Sequence, residues 1–175
     1  EISVATQHAD AIAKKLLSFE SVQAIGLGAR DSLRLEVGLC LYGHDIDQTI
    51  TPIEAGLLWS ISKSRRQGGA KQGGFAGADI ILKQIANGTS RKRVGLKITG
   101  RAPLREGTEL LNEAGNLIGK ITSGSFGPTL GAPVAMAYVT SEYSTIGSKM
   151  FALLRGKQVS VEVTKMPFVN QHYLR

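Results

Sequence analysis

The spacing of apolar residues changes near residue 90. Before that point apolar residues recur every three or four positions, as in HADAIAKKLLSF, which is the pattern of an amphipathic helix. After it apolar and polar residues alternate, as in RVGLKIT, which is the pattern of a half-buried strand. The sequence therefore predicts a mixed first part and an all-β second part.

Four elements are predicted at the start of the chain. EISV at 1–4 has the composition of a strand, and the apolar spacing over 8–19 predicts a helix. VQAIGLG at 22–28 predicts a short strand that ends in a glycine turn. A second helix is expected over 29–39, with Asp31 near its positive end.

A helix start signal follows at TPIEAGLLWSI. Thr51 is a suitable N-cap, Pro52 suits the first helical position, and Glu54 stands where a capping box requires a carboxylate. A third helix is therefore predicted from Thr51. The polar, glycine-rich stretch 64–74 then predicts a loop, and a fourth helix is predicted over 77–88.

The second part has strand and turn signals at regular intervals. Strands are predicted at 93–99, 134–139 and 159–164, and the turn signals between them are NEAGN, GSFGPTLG and LRGKQ. This spacing is typical of a small antiparallel barrel or sandwich.

Charge supports a division at the same place. The net charge is +7, yet residues 1–90 hold nine Lys or Arg and nine Asp or Glu, whereas residues 91–175 hold twelve against five. We therefore predict two domains, 1–90 and 91–175. The basic excess favours an acidic partner, such as nucleic acid, a carboxylate-rich ligand or an acidic protein, and a solubilising surface explains it equally well.

Composition narrows the class of protein. Hydrophobic residues make up 42% of the chain and charged residues 20%, as in ordinary globular domains, and no apolar run reaches membrane-spanning length. The single cysteine, Cys40, has apolar neighbours, which favours a core thiol over a reactive one and suits a reducing compartment.

Several chemical motifs are absent. The glycine-rich loop lacks the Gly-Lys-Ser/Thr ending of a phosphate-binding loop. His8, His44 and His172 lack metal-ligand spacing, and no nucleophile stands beside a base. Aromatic residues are only 6% of the chain, so a barrel that binds single-stranded nucleic acid is the less favoured alternative.

Several blocks in order resemble one family. GLGARDSLRLEVGLCLYGHDIDQTITPIEAGLLW, KRVGLKITGRAPLREG, GKITSGSFGPTLG, VAMAYV and VTKMPFV resemble the aminomethyltransferase family, the T subunit of the glycine cleavage system. The resemblance covers nearly the whole chain and corresponds to the C-terminal half of the family. It implies an α+β fold: the remnant of a folate-binding α+β domain, followed by an all-β antiparallel barrel of jelly-roll or Greek-key type.

The resemblance also implies an enzyme of one-carbon transfer. In that family an aminomethyl group on the lipoyl arm of a carrier, the H protein, passes to tetrahydrofolate, which gives methylenetetrahydrofolate and ammonia. The family's catalytic aspartate lies in the N-terminal half, so no catalytic residue is predicted here and we expect this chain alone to be inactive. A mitochondrial matrix location is favoured, or the cytoplasm for a bacterial protein, with no membrane partner.

Three folate-binding residues are implied by the same resemblance: Glu1, Arg30 and Tyr173. A carboxylate at Glu1 can accept two parallel hydrogen bonds from the amino group and ring N–H of a pterin. The guanidinium of Arg30 suits a carboxylate or polar ring edge, and Tyr173 offers a flat face and a hydroxyl. From the residues alone, Arg30 could equally bridge to Asp31 or Glu36 and fix the helix start.

Overall fold

A computed structural model describes residues 2–171. The chain divides into two compact units, Glu1–Asp31 and Ser32–Arg175. The predicted domain boundary between residues 90 and 91 stays a prediction. The described residues form three α-helices: α1 (Thr6–Leu17), α2 (Leu27–Glu36) and α3 (Ala78–Asn87).

Six strands close into an antiparallel barrel in the order β1-β4-β3-β2-β5-β6. Because β2, β3 and β4 follow one another and β1 returns beside β4, the barrel contains a Greek key. The predicted α+β fold with an antiparallel barrel is confirmed. The strands are β1 (Arg91–Ile98), β2 (Glu109–Leu111), β3 (Leu117–Gly127), β4 (Ala132–Thr140), β5 (Lys149–Leu154) and β6 (Lys157–Thr164).

Alternate residues of the strands fill the barrel. In β1 the predicted alternation holds, because Val94, Leu96 and Ile98 are all buried in the barrel core. Strand β6 contributes Val161 and Val163 to the same core. Within residues 2–171, each of the six strands pairs with a neighbour on both sides, since β1 and β6 pair with each other.

Strand β4 is buried on both faces. Ala135, Ala137 and Val139 belong to the barrel core, whereas Val134 and Met136 pack with Leu35 of α2 in a second apolar cluster. The predicted alternation in β4 is therefore confirmed. Val134 and Met136 face the helix, whereas Ala135 and Ala137 face the barrel interior. This second cluster joins the end of α2 to the outside of the barrel.

Helix α1 belongs to the first unit and has no buried residue. Its exposed ion pair joins Lys14 Nζ to Asp10 at 2.7 Å, one helical turn apart. The hydroxyl of Ser18 donates to the carbonyl of Lys15 at 2.7 Å and ends the helix. The predicted helix over 8–19 is thus confirmed, two residues earlier in the chain.

Two predicted strands in the first part are wrong. Residues 2–4 and 22–28 are not strands; the second range instead ends in α2. A strand needs a partner for its backbone N–H and C=O groups, and neither segment pairs with another strand among residues 2–171. The composition of these segments favours a strand, but composition alone does not form one without a pairing strand.

The predicted third helix is also wrong, because it stops after one turn. Gly56 adopts a left-handed conformation with φ of 70°. The N–H of Gly56 bonds to Ile53 O at 3.1 Å and the N–H of Leu57 bonds to Pro52 O at 2.7 Å, which is a Schellman helix ending. The predicted loop over 64–74 and the fourth helix, observed as α3, are both confirmed.

Candidate functional site

Of the three predicted folate-binding residues, the structure describes only Arg30. It lies in α2 with an exposed side chain. Glu1 and Tyr173 lie outside the described residues, so whether the three side chains meet stays a prediction. Asp31, the neighbour of Arg30 in the chain, is half-buried and takes part in an interaction of its own.

The most elaborate polar site in the described part of the chain centres on Asp45. Its side chain is fully buried, and its carboxylate accepts hydrogen bonds from Arg34 Nη1 at 2.7 Å and from the backbone N–H of Leu41 at 2.9 Å. The hydroxyls of Thr122 and Ser123 donate to it at 2.5 and 2.8 Å. A buried carboxylate is tolerated only when it is satisfied in this way.

A bulge in β3 allows two adjacent side chains to reach Asp45. In a regular strand, Thr122 and Ser123 would point to opposite faces. The pairing of β3 with β4 shifts register between Ile121 and Ser123, so Thr122 is an extra residue on the strand. The bulge thereby turns both hydroxyls toward one carboxylate.

The Asp45 site links three parts of the second unit. Arg34 belongs to α2 and its side chain is 11% exposed, while the two hydroxyls belong to β3. The main-chain oxygen of Asp45 also accepts a bond from Tyr138 of β4 at 2.8 Å. Burial is the main cause that raises the pKa of Tyr138, so its hydroxyl stays protonated and remains a donor.

Glu36 fixes the end of α2 in a similar way. This side chain is 2% exposed, and its Oε1 accepts from the N–H groups of Thr129 and Leu130 at 2.7 and 3.0 Å. Its main-chain oxygen accepts from Phe168 and Val169, at 2.9 and 3.0 Å. One buried residue therefore ties the helix end to the β3–β4 turn and to the segment after β6.

Arg93 supports the chain that follows α2. Its Nε donates to the carbonyl of Ala55 at 2.8 Å and its Nη1 to the carbonyl of Gly38 at 3.0 Å. Gly38 ends the helix with φ of 70°, where a side chain is strained. A strand residue thus satisfies two main-chain carbonyl groups in the segments that follow α2.

The predicted capping box is present although its helix is short. The N–H of Thr51 donates to Glu54 Oε2 at 2.9 Å, and the N–H of Glu54 donates to the Thr51 hydroxyl at 3.2 Å. Arg91 Nε donates to Glu54 Oε1 at 2.9 Å. Burial would raise the pKa of Glu54, but the hydrogen bonds from Arg91 and Thr51 outweigh it and hold the pKa below its usual value.

Cys40 is half-buried beside this network, so the prediction of a core thiol holds only in part. Burial is the largest cause that raises the pKa of its thiol, with Asp45 adding to the effect and Arg93 and Arg34 opposing it. A raised pKa disfavours the thiolate, which is the nucleophilic form.

The barrel does not present a row of aromatic side chains for stacking. Tyr138 is 7% exposed, while Tyr143, Phe151 and Phe168 are half-buried. Among the barrel aromatics that the structure describes, only Phe126 is exposed. This geometry does not favour the alternative of a single-stranded nucleic-acid platform.

Neither a metal cluster nor a membrane helix is found in residues 2–171. No group of three or more His, Cys, Asp or Glu in that range could hold a metal ion. Within the same range, none of the helices is both long and apolar enough to cross a bilayer. The buried polar groups described above bond to one another and to the backbone, and these bonds hold the end of α2 against the barrel.

Sequence reasoning missed Arg34, Glu36 and Asp45. The available signal was a set of charged residues inside the apolar stretch LRLEVGLCLYGHDID, because charges among apolar residues are buried only when they are paired. Partners such as Thr122 and Ser123 lie more than seventy residues away in the chain, so the sequence could not identify them.

The chain is similar to known proteins over nearly its whole length. The model of the glycine cleavage T-protein C-terminal barrel domain matches residues 91–170, and the model of the GCVT N-terminal domain matches residues 1–65. The mitochondrial aminomethyltransferase of Pisum sativum is 51% identical over 177 residues, covering 100% of this chain and 42% of the relative. That of Dictyostelium discoideum is 49% identical over 181 residues, covering 99% and 44%.

A solved structure of an aminomethyltransferase is also similar to this chain. The glycine cleavage system aminomethyltransferase T from Bartonella henselae superposes with a TM-score of 0.88 and 46% identity, covering 97% of this chain and 46% of that one. This chain therefore spans less than half the length of the relatives it matches. The two family models together match most of the chain, and the chain belongs to the glycine cleavage T-protein, or aminomethyltransferase, family.

Proposed function

We propose that this chain serves tetrahydrofolate-dependent aminomethyl transfer in glycine cleavage. The observation that supports the proposal is identity near 50% to aminomethyltransferases over the whole chain. The aminomethyl group would arrive on the lipoyl arm of the H protein and leave as methylenetetrahydrofolate and ammonia. The tetrahydrofolate would supply the nitrogen atoms that accept the one-carbon unit.

This chain's own part in the reaction is to bind and orient the folate. Glu1 would accept two hydrogen bonds from the pterin edge, and Tyr173 would cover a ring face with its phenol. Arg30 would donate to a polar or anionic group of the ligand. Its exposure on an ordered helix supports this role, since the guanidinium is accessible to a ligand.

The names of the relatives support a proposal about location. The curated proteins from pea, Dictyostelium and chicken are named as mitochondrial. We propose the mitochondrial matrix if the source is eukaryotic, and the cytoplasm if it is bacterial.

The test is an assay of ammonia and methylenetetrahydrofolate formation from aminomethyl-loaded H protein. Assayed as the 175 residues alone, the chain is expected to give no turnover, because the family's catalytic aspartate belongs to the N-terminal half. The same chain placed after the N-terminal half of the pea relative is expected to give turnover that requires tetrahydrofolate. Appreciable turnover by the 175 residues alone, or none by the chimera when it is folded, contradicts the proposal.

A further inference from the structure

A basic, aromatic surface lies at residues 57–73, which we call the basic double turn. It contains two short 3-10 turns, Leu58–Ser60 and Lys63–Arg65, followed by the glycine-rich loop. Trp59, the chain's single tryptophan, is 77% exposed there, and Leu58 is 37% exposed. An indole exposed to this degree can contribute strongly to an interface once a partner covers it.

Arg66 holds the two turns in a defined shape. Its Nε donates to the carbonyl of Ile61 at 3.0 Å and its Nη2 to the carbonyl of Leu58 at 2.9 Å. Ile61 between the turns is buried and anchors them to the protein. The backbone that carries Trp59 is therefore fixed from both sides.

The glycine-rich loop is also structured. The N–H of Lys71 bonds to Ser64 O at 2.9 Å, and Arg65 and Gly73 bond to each other twice, each at 3.0 Å. A Cβ at Gly69 would overlap the carbonyl oxygen of Ser64, so only glycine fits this approach. Because these N–H groups are used within the loop, they do not form a cradle for a phosphate group.

The charge of this surface has one sign. Between Glu54 and Asp79 the chain holds Lys63, Arg65, Arg66 and Lys71 and no acidic residue. The two arginines are half-buried and support the backbone, whereas both lysines are exposed. The result is a rigid platform that presents one indole ring and two ammonium groups to the solvent.

We propose that the basic double turn is a docking surface for an acidic protein segment that carries an apolar side chain. Tryptophan is among the residues that contribute most to protein interfaces when they become buried, and charges at the rim steer an oppositely charged partner. Charge complementarity thus selects an acidic partner, and Trp59 supplies the apolar centre. Pre-organisation by Arg66 and Gly69 reduces the entropy that binding would otherwise lose.

The same observations argue against two other partners. Single-stranded nucleic acid is bound by several aromatic rings along a groove, whereas residues 57–73 contain one aromatic residue. Anionic membranes attract clusters of four or more exposed Lys or Arg, and here two of the four cations donate inward to carbonyl groups. An acidic protein segment is the occupant that fits both the single ring and the two lysines.

The experiment uses the fluorescence of Trp59 in the 175-residue chain, since no other tryptophan is present. The probe is a short synthetic peptide of Asp and Glu with a central Phe, and the matched peptide replaces every acid by its amide. We expect the acidic peptide to shift the Trp59 emission to shorter wavelength, with affinity that falls about tenfold from low to physiological salt. The amide peptide is expected to leave the emission unchanged.

Variants locate the surface. The double variant Lys63→Glu with Lys71→Glu is expected to weaken binding about tenfold, and Trp59→Ala, followed by calorimetry, about thirtyfold. Lys149→Glu with Lys157→Glu, which makes the same charge change on exposed barrel residues, is the matched control and is expected to stay within about twofold. The proposal is overturned if both double variants lose the same amount of affinity or if the acidic peptide does not shift the emission. It is also overturned if oligothymidylate or phosphatidylserine vesicles give a stronger response than the peptide.

Discussion

At the scale of single residues, Asp45 joins α2 to strand β3. It is fully buried and pairs with Arg34, whose side chain is 11% exposed. Removing one partner of a buried pair leaves the other charge without compensation, so Asp45→Ala is expected to lower the free energy of unfolding by about 3 to 5 kcal/mol. Denaturant unfolding followed by circular dichroism measures this loss.

Glu113→Ala is the control for Asp45→Ala, because Glu113 is an exposed acid in the β2–β3 turn. A surface change of this kind is expected to stay within about 0.5 kcal/mol of the parent. If the two variants unfold at the same denaturant concentration, Asp45 does not have the structural role described here.

The Cys40 thiol gives a second residue-scale prediction. Because burial raises its pKa, little thiolate forms near neutral pH and a disulfide reagent is expected to react slowly. Unfolding exposes the thiol and restores its ordinary pKa, so the rate in denaturant is expected to be at least about tenfold higher. As the chain has one cysteine, the reagent's absorbance reports this site alone, and equal rates in both states would refute the assignment.

The lowered pKa of Glu54 predicts how the free energy of unfolding depends on pH. Its folded pKa lies below the unfolded value of about 4.3, so its contribution is present above that pH and is lost as the pH falls through the folded pKa. Glu54→Gln is therefore expected to flatten the dependence of unfolding free energy on pH between about pH 5 and 3. Glu113→Gln serves as the control, and parallel curves for parent and Glu54→Gln would exclude this linkage.

At the scale of elements, the third predicted helix shows how start and stop signals compete. Thr51, Pro52 and Glu54 form the capping box that the sequence predicts. Gly56 ends the helix two residues later, and periodicity in the following residues is then irrelevant. The start of this helix could be predicted from the capping residues. Its end could not, because the apolar periodicity predicted continuation whereas Gly56 predicted a stop.

Strands β2, β3 and β5 were not predicted from the sequence, and the physical reason is clear for β3 and β2. In β3 the bulge at Thr122 and several glycines break the alternation that identifies a strand. Strand β2 has only three residues, too few for a period to be visible. By contrast β1, β4 and β6 are long and regular, and the sequence alone was sufficient to predict them.

A substitution at Gly124 tests how closely β3 packs against Leu104. A Cβ there would overlap the carbonyl oxygen of Leu104, which is backbone and cannot move aside cheaply. Gly124→Ala is expected to lower the free energy of unfolding by about 1 to 3 kcal/mol. Gly28→Ala is the matched control, since a Cβ there meets nothing within 4 Å and alanine favours a helix by up to about 1 kcal/mol. Equal thermal midpoints for the two variants would contradict the packing described.

At the scale of the whole molecule, the family could be identified from the sequence because several blocks occur together in order. The order of the blocks, rather than any single one, distinguished the T-protein family from other basic barrel proteins. The buried network around Asp45 could not be deduced in this way, because it joins Arg34 to residues of β3 across the fold. The meeting of Glu1, Arg30 and Tyr173 stays a prediction.

The most direct test is the dissociation constant of tetrahydrofolate for the chimera described above, with and without Arg30→Ala. Loss of a charge-assisted hydrogen bond is expected to weaken binding about tenfold or more. Arg101→Ala, an exposed arginine in the β1–β2 loop, is the control and is expected to bind like the parent. Unchanged affinity in Arg30→Ala would contradict the assignment of Arg30 to the folate site.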